Sequence, residues 1–248
     1  MSRLPIKLGK EPLIDAIFEI RFSSSQPASS LLLGHLFSKL EGEKNADELP
    51  AAQLPKAIRD SDPNMQFSPT HRLSWDKFFI SFSDRSLIIN TQYPYSGWVN
   101  FKPAIIKILN LVSELEIINS VDRFSMKYID LVPAKTLKEQ VDLANISLTV
   151  ANHDLIQEQF LIRTEIAKDS FVNIVELIAG AKVELPNIGE VEGLVVSVDS
   201  ILNLNGTTLS DMLVGFEAKL ETIHTTNKTL FFDCLKPQTI TNLEPIYE

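Results

Sequence analysis

The sequence is poor in cysteine, histidine and glycine, and it has neither an excess of basic residues nor a long apolar run. Its 248 residues include one cysteine, Cys234, so no disulfide can form within the chain, as is typical of a reducing compartment. The longest strongly apolar stretches, such as IIKILNLV, are too short to span a membrane, and MSRLPIKLGKEP lacks the apolar core of a signal peptide. These features predict a cytoplasmic protein without membrane contact.

The charge balance is acidic. Lysine and arginine number 23 against 32 acidic residues, which gives a net charge of −9. Proteins that bind nucleic acid use clustered basic residues to neutralise phosphates, and this chain has no basic run. The composition therefore argues against general nucleic-acid binding. It favours a protein partner, and an acidic average suits a basic one.

Sequence signatures of catalytic and metal sites are missing. The histidines are scattered and show neither the i, i+4 pairing nor the Cys/His clustering of metal sites; they are His35, His71, His153 and His224. No Gly-x-Ser-x-Gly elbow and no glycine-rich phosphate loop occurs among nine glycines. Cys234 lies in the apolar segment FFDCLK, which predicts burial. We therefore predict no catalytic residue, no bound metal and no cofactor.

The most strongly patterned segment is PLIDAIFEIRF, residues 12–22. Read with a period of two, one face consists of apolar residues; these are Ile14, Ala16, Phe18, Ile20 and Phe22. The other face mixes charged and apolar residues; these are Leu13, Asp15, Ile17, Glu19 and Arg21. The first face predicts a core strand, and the second needs an explanation.

Three interpretations of the mixed face remain open: cross-strand ion pairs, a partner-binding surface and a catalytic site. The mid-chain segment VDRFSMKYIDLV places Arg123 and Lys127 on a second strand. If the two strands are neighbours, Glu19 can pair with Lys127, or Asp15 with Arg123. We predict that Glu19 and Arg21 are neutralised by Lys127 and Asp130. The nuclease interpretation is the weakest, because Arg21 cannot replace the titratable lysine of an acid-x-Lys motif.

A second candidate surface is the loop NTQYPYSGWVNF. Tyr93 and Tyr95 flank Pro94, and their hydroxyl groups require water or a partner. A rigid loop with exposed tyrosines is a plausible protein-contact anchor, whereas anchoring of the following helix to the sheet is the structural alternative. Glu19, Arg21, Tyr93, Tyr95, Arg123 and Lys127 are therefore the candidate partner-binding residues.

The pattern of elements predicts an α+β fold, in which a curved antiparallel sheet is covered on one face by long helices. Helical spacing occurs in three segments, which are 29–40, 98–115 and 209–223. Residues 41–66 are polar and proline-rich, which predicts a long loop with a short helical turn. The remaining strand signals form HRLSWDKFFISFSDRSLIINTQ, NISLTVA, EQFLIRTEI, SFVNIVELI, LVVSVDSILNL and TLFFDCL. Strands followed by one long helix recur in two halves, 1–135 and 136–248, which we expect to form one compact unit.

Three segments, PLIDAIFEIRF, DRFSMKYIDLV and LVVSVDSILNL, together resemble a sporadically distributed family of prokaryotic proteins of about this length. That family has a proline and a Glu-Ala dipeptide before a Phe-Glu-Ile-Arg-Phe-like strand, and a central Arg-Tyr-x-Asn-like strand. This chain differs at Asp15, Lys127 and Asp130, where the family has Glu, Arg and Asn. The resemblance implies no settled activity, but it implies an antiviral-defence or toxin–antitoxin context.

These observations predict a non-catalytic protein-interaction subunit in a prokaryotic defence or toxin-neutralising system. The alternative is a domain that binds or processes a nucleotide or RNA. In that alternative, Arg21, Arg123 and Lys127 form the wall of a cationic cleft.

Overall fold

A computed structural model describes residues 4–63 and 65–247, and it has the predicted α+β class. Nine strands form an open antiparallel sheet, which is combined with seven helices in the described part of the chain. The strands are β1 (Lys7–Leu8), β2 (Leu13–Ser24), β3 (Lys44–Glu48), β4 (His71–Trp75), β5 (Phe78–Phe82), β6 (Ser86–Thr91), β7 (Ile118–Pro133), β8 (Thr149–Val150), β9 (His153–Asp154), β10 (Phe160–Lys168), β11 (Phe171–Leu185), β12 (Gly189–Thr207) and β13 (Pro245–Ile246). The helices are α1 (Ala28–Lys39), α2 (Lys56–Ser61), α3 (Trp98–Ser113), α4 (Leu137–Leu143), α5 (Leu209–Leu213), α6 (Phe216–Asp233) and α7 (Pro237–Asn242).

The strand order in the large sheet is β10-β11-β12-β7-β2-β6-β5-β4-β3. Two small sheets are formed by β1 with β13 and by β8 with β9. Strand β2, the strand of PLIDAIFEIRF, is therefore a central strand between β7 and β6, which explains why its sequence pattern is so pronounced.

The core face of β2 is largely as predicted. Phe18, Ile20 and Phe22 are fully buried, whereas Ile14 is only half-buried. The Phe18 ring contacts the rings of Phe124 and Phe216, with centroids 6.0 Å away in both cases. The mid-chain strand, β7, is a neighbour of β2 in the sheet, so the condition that we set for cross-strand ion pairs is met.

The chain forms two compact units, each assembled from separate segments. The first contains the described residues up to Ala16, Lys127–Ser200 and the described residues from Ile223 onward. Its apolar core includes Val196 and Val198 of β12, with Leu230 and Phe231 of α6. The predicted boundary at residue 135 falls inside this unit.

The second unit contains Ile17–Met126 and Ile201–Thr222. Here α1 packs against α3, β4 and β5. Buried Leu36 from α1 and Ile105 from α3 contribute to the apolar core of this unit, together with Ile80 from β5.

The C-terminal helix differs from the prediction. The stripe that begins at Leu209 is divided at Gly215, whose φ of +62° is in the left-handed region, and α6 then continues to Asp233. The extended structure predicted for TLFFDCL is therefore wrong. His224, which directly follows the predicted helical segment 209–223, lies in the middle of α6. Leu220, Ile223, Leu230 and Phe231 bury one side of the helix, and this burial outweighs the strand preference of Thr and Phe.

Two smaller predictions were also wrong in part. Residues 41–66 contain edge strand β3, a 3-10 helix at Pro50–Gln53 and α2, in addition to loop. Of NISLTVA, only Thr149–Val150 is extended, and it pairs with β9 outside the large sheet. In contrast, the helix predicted at 98 begins at Trp98 as expected, with Gly97 at the N-cap position.

Among the described residues, no helix combines the length and apolarity that crossing a membrane requires.

Candidate functional site

The mixed face of β2 carries an ion cluster centred on Glu19. Nη2 of Arg123, on the neighbouring strand β7, lies 2.9 Å from Oε2 of Glu19, and Nε of Arg21 lies 3.1 Å from the same oxygen. The Glu19 side chain is only 13% exposed and that of Arg123 only 21%. Two guanidinium groups thus share one carboxylate, which leaves the trio with one unit of excess positive charge.

The predicted partners of Glu19 were wrong in detail. Arg123 contacts Glu19, so it takes the place that we assigned to Lys127. Nζ of Lys127 lies 3.9 Å from Oε2 of Glu176 on β11. Asp130 is buried and cannot serve as a surface partner of Arg21. Cross-strand ion pairing itself is present, but its register differs from the one predicted.

Apolar and aromatic side chains surround the cluster within the second unit. The strand register places Ile88 of β6 opposite Glu19, and Asn90 opposite Ile17. Ile17 and Ile88 are both half-buried. The guanidinium carbon of Arg21 lies 4.1 Å from the ring centroid of Phe67, a cation–π contact. We call Ile17, Glu19, Arg21, Ile88 and Arg123 the strand-face patch.

The same row continues toward the sheet edge. Ser81 of β5 is opposite Ile88, Arg72 of β4 is opposite Ser81, and Asp47 of β3 is opposite Arg72. Arg72 pairs with Asp47 at 3.3 Å, and its guanidinium lies 4.8 Å from the Phe79 ring centroid. In this row outside the strand-face patch, Arg72 is therefore neutralised by one carboxylate, that of Asp47.

The two candidate tyrosines lie elsewhere in the second unit. Tyr93 and Tyr95 are half-buried, and a cis peptide bond joins Tyr93 to Pro94. The hydroxyl oxygen of Tyr95 is shielded from solvent and the residue is engaged within the protein. The structure records no contact between either tyrosine and Glu19, Arg21 or Arg123. The loop leads into α3, where Nε1 of Trp98 lies 3.1 Å from a carboxylate oxygen of Glu221.

A cluster of titratable side chains in the first unit was not predicted. Tyr128 and Asp130 project from β7 on the buried side, and His224 and Lys228 lie one turn apart on α6. The Tyr128 hydroxyl and Nδ1 of His224 share a hydrogen bond of 2.7 Å, with the two rings edge to face. This contact ties the sheet to the middle of α6.

Asp130 is the most constrained member of this cluster. Only 5% of the residue is exposed. Burial, and secondarily the charge of Glu11, raise the pKa of Asp130 well above its ordinary value. Burial also raises the pKa of Glu11, against the opposing effects of the Leu13 amide and Lys228. The pKa of Lys228 is lowered by burial, although Glu11 acts in the opposite direction.

The signal for this cluster was present in the sequence. Asp130 has the same strand parity as Met126, Tyr128 and Val132, which are all buried. The alternation of side chains along this strand is therefore enough to place the carboxyl group of Asp130 on the buried face. Its neighbours could not be found in this way, because Glu11 and Lys228 are each about a hundred residues distant along the chain.

Other reactive groups have ordinary structural surroundings. Burial and the charge of Asp233 raise the pKa of Cys234 to about 11, which disfavours the thiolate. In the described part of the chain, no three or more His, Cys, Asp or Glu residues come together as a metal-binding group.

The structure outlines two shallow depressions in the second unit. The larger, of about 550 Å³, is lined by Glu41–Asn45 and Ser74–Asp76, and the smaller, of about 230 Å³, lies between Trp75–Phe78 and the first half of α3. Trp75 borders both. Neither of these two depressions includes Glu19, Arg21 or Arg123.

Comparisons with known proteins were made by family model and by search of curated proteins, and neither finds a match to this chain.

Proposed function

We propose that the protein is a non-catalytic protein-interaction subunit whose binding surface is the strand-face patch. The observation that carries the proposal is the sharing of one carboxylate oxygen by Arg21 and Arg123. The trio keeps an excess positive charge and unused guanidinium donors next to half-buried apolar side chains. Arginine beside apolar surface is a composition enriched in protein–protein interfaces.

The patch suits a partner segment that combines an acidic side chain with apolar ones. A carboxylate from the partner can bind the outer edge of Arg21 or Arg123, because each guanidinium has five donor hydrogens and Glu19 accepts few of them. Ile17 and Ile88 then provide apolar contact area. The overall acidic charge led us to expect a basic partner, but the local charge of this patch favours an acidic one.

The alternative, binding or processing of a nucleotide or RNA, draws on the same two arginines, since guanidinium groups also bind phosphate bidentately. Lys127, the third residue of the expected cationic wall, is 3.9 Å from Glu176 and is thereby partly neutralised. The strand-face patch also borders neither depression. We therefore place this alternative second.

The biological context that we propose, prokaryotic defence or toxin neutralisation, is supported by the family resemblance of PLIDAIFEIRF, DRFSMKYIDLV and LVVSVDSILNL alone.

The test is affinity purification from the native cell, followed by reconstitution of binding from two purified proteins. We compare the wild type with Arg21→Ala and Arg123→Ala by isothermal titration calorimetry. Lys102→Ala is the matched control, because Lys102 is also an ion-paired cation but pairs with Glu217 and Glu221 of α6. We expect the arginine variants to weaken binding about tenfold or more, as for interface anchors, and the control to bind normally.

Loss of binding in all three variants, or in none, would contradict the proposal. Co-purification of RNA or nucleotide that is lost in both arginine variants, without a bound protein, would favour the alternative. Thermal melts of each variant must match the wild type within a few degrees for the comparison to count.

A further inference from the structure

Strand β10 is an edge strand of the large sheet and has an open backbone. It pairs with β11 over nine residues, Phe160–Lys168, and forms the end of the strand order. On its outer side, its backbone groups form no hydrogen bond to any described residue except for the Ile166 carbonyl, which accepts from the Asn173 side chain at 3.0 Å. A strand of this length with unpaired N–H and C=O groups is a template for another strand.

Strand β10 lacks some of the features that normally protect an edge strand from pairing with another chain, because it has exposed apolar side chains. Leu161 is 64% exposed and Ile166 is 37% exposed, and the strand contains no proline. Both faces of β10 therefore carry an uncovered large apolar side chain, because residues 161 and 166 have opposite parity.

Two of the three charged residues of β10 are arranged symmetrically about Thr164. Arg163 and Glu165 flank this residue, and Ile162 and Ile166 flank it one step further out. If two copies of β10 pair antiparallel with Thr164 opposite Thr164, each Arg163 faces a Glu165 and each Ile162 faces an Ile166. An edge strand whose charged side chains all had the same sign would repel a second copy of itself. The charges of β10 are instead complementary to those of a second, antiparallel copy.

We propose that two copies of this chain associate through β10, in an antiparallel two-fold pairing centred on Thr164 that extends the sheet across the dimer. The pairing is isologous, as expected for a cyclic dimer, because each strand offers the same residues to the other. It satisfies the outer backbone groups and covers Leu161 and Ile166. Glu165, whose described partner within the chain is Arg163 at 3.3 Å, gains the second arginine of the partner copy.

The opposite edge of the sheet is less suited to this role. Strand β3 has only five residues, Lys44–Glu48, and no large apolar side chain. Asp47 of this strand already pairs with Arg72 of β4. Pairing through β3 would therefore bury little apolar surface.

The proposal is independent of the proposed function, because the strand-face patch uses β2, β6 and β7. Arg123→Ala should leave the dimer intact, and variants of β10 should leave partner binding by the patch measurable. The two proposals can thus fail separately.

The first experiment measures the mass of the full chain by sedimentation across a range of concentrations. We expect a dimer that dissociates on dilution. Glu165→Arg places two arginines opposite each other at both symmetry-related positions, and we expect it to weaken the dimer about tenfold or more. The double variant Arg163→Glu with Glu165→Arg restores opposite charges across the interface, and we expect it to recover dimerisation.

The second experiment reads the register directly. In a Cys234→Ala background, Thr164→Cys places two thiols on directly opposed residues, whose Cα separation suits a disulfide. Ile166→Cys is the matched control on the same face, because its counterpart lies four residues further along the partner strand. We expect oxidation to cross-link the first variant and not the second.

A chain that is monomeric at every concentration overturns the proposal. Equal cross-linking of both cysteine variants, or a dimer that Glu165→Arg leaves unchanged, overturns it as well. A thermal melt of each variant shows whether the monomer is folded. If Glu165→Arg does not fold, the cross-linking pattern decides.

Discussion

Arg123 of β7 and Glu19 of β2 are joined by an ion pair of 2.9 Å on the half-buried face of the sheet. Both side chains are largely shielded from water, so their attraction is less screened than that of an exposed pair. We expect Glu19→Gln and Arg123→Met, made singly and together, to show a coupling of about 0.5–3 kcal/mol in the free energy of unfolding. Urea denaturation of the four proteins provides the measurement.

The control is a second double-mutant cycle in which Lys127, and not Arg123, is substituted together with Glu19. Lys127 is an ion-paired cation of the same strand, but it pairs with Glu176. Glu19→Gln and Lys127→Met should add without coupling. Coupling in the control cycle and additivity in the first would mean that the predicted register, and not the observed one, describes the protein.

Phe18 has no exposed surface, and its ring contacts those of Phe124 and Phe216. Truncating it leaves a cavity bordered by two other aromatic rings, so Phe18→Ala should cost about 3–5 kcal/mol. Phe37→Ala is the matched control, since Phe37 is 46% exposed and should cost less than about 1 kcal/mol. Equal thermal melts of the two variants would remove Phe18 from the core.

Two glycines should respond to alanine with opposite signs. A Cβ added to Gly34 in α1 meets no atom within 4 Å, so Gly34→Ala should stabilise the protein by about 0.4–1 kcal/mol through the unfolded state. A Cβ added to Gly193 in β12 overlaps the carbonyl oxygen of Val132, a backbone atom, so the strands must separate. Gly193→Ala should destabilise by about 1–3 kcal/mol. Melting both variants side by side tests the contrast.

Elements with a strong period could be predicted from sequence, and those that depend on distant pairing could not. The two-residue period of β2 and the apolar stripe of α3 are dominated by burial of one face, which local sequence records. Strand β3, with sequence KNADE, has no apolar alternation, because it is extended only through pairing with β4. The segment TLFFDCL contains residues that favour strands. However, its buried residues Leu230 and Phe231 lie at helical spacing from Leu220 and Ile223 and extend the buried side of α6.

The candidate site followed the same rule. The neighbouring positions of β2 and β7 were predictable from two patterned strands, and so was the presence of ion pairs. The identity of the pairs was not, because a shift in register between residues 104 apart decides whether Glu19 meets Arg123 or Lys127. The electrostatic effect of Glu11 on Asp130 depends on a similar long-range placement.

The last prediction concerns the pH dependence of stability at Asp130. Burial and Glu11 raise the pKa of this carboxyl group in the folded protein well above the value of 3.8 for an ordinary aspartate. Between the two pKa values the unfolded chain has released the proton that the folded protein still holds. Stability contributed by Asp130 is therefore fully present below the unfolded pKa and is lost as pH rises toward the folded pKa.

Asp130→Asn has no proton to release, so it should not show this loss. We expect the variant to gain stability relative to the wild type as pH rises from about 4 to 8, measured by urea denaturation at each pH. Asp142→Asn is the matched control: Lys138 and, secondarily, Lys236 lower the pKa of Asp142 below its ordinary value of 3.8. Its carboxyl group is therefore ionised in both the folded and the unfolded state above about pH 5, and the stability of this variant should differ from that of the wild type by a constant amount over that range. A constant difference between Asp130→Asn and the wild type at every pH would show that Asp130 ionises normally, and the buried carboxyl would then have a compensating partner.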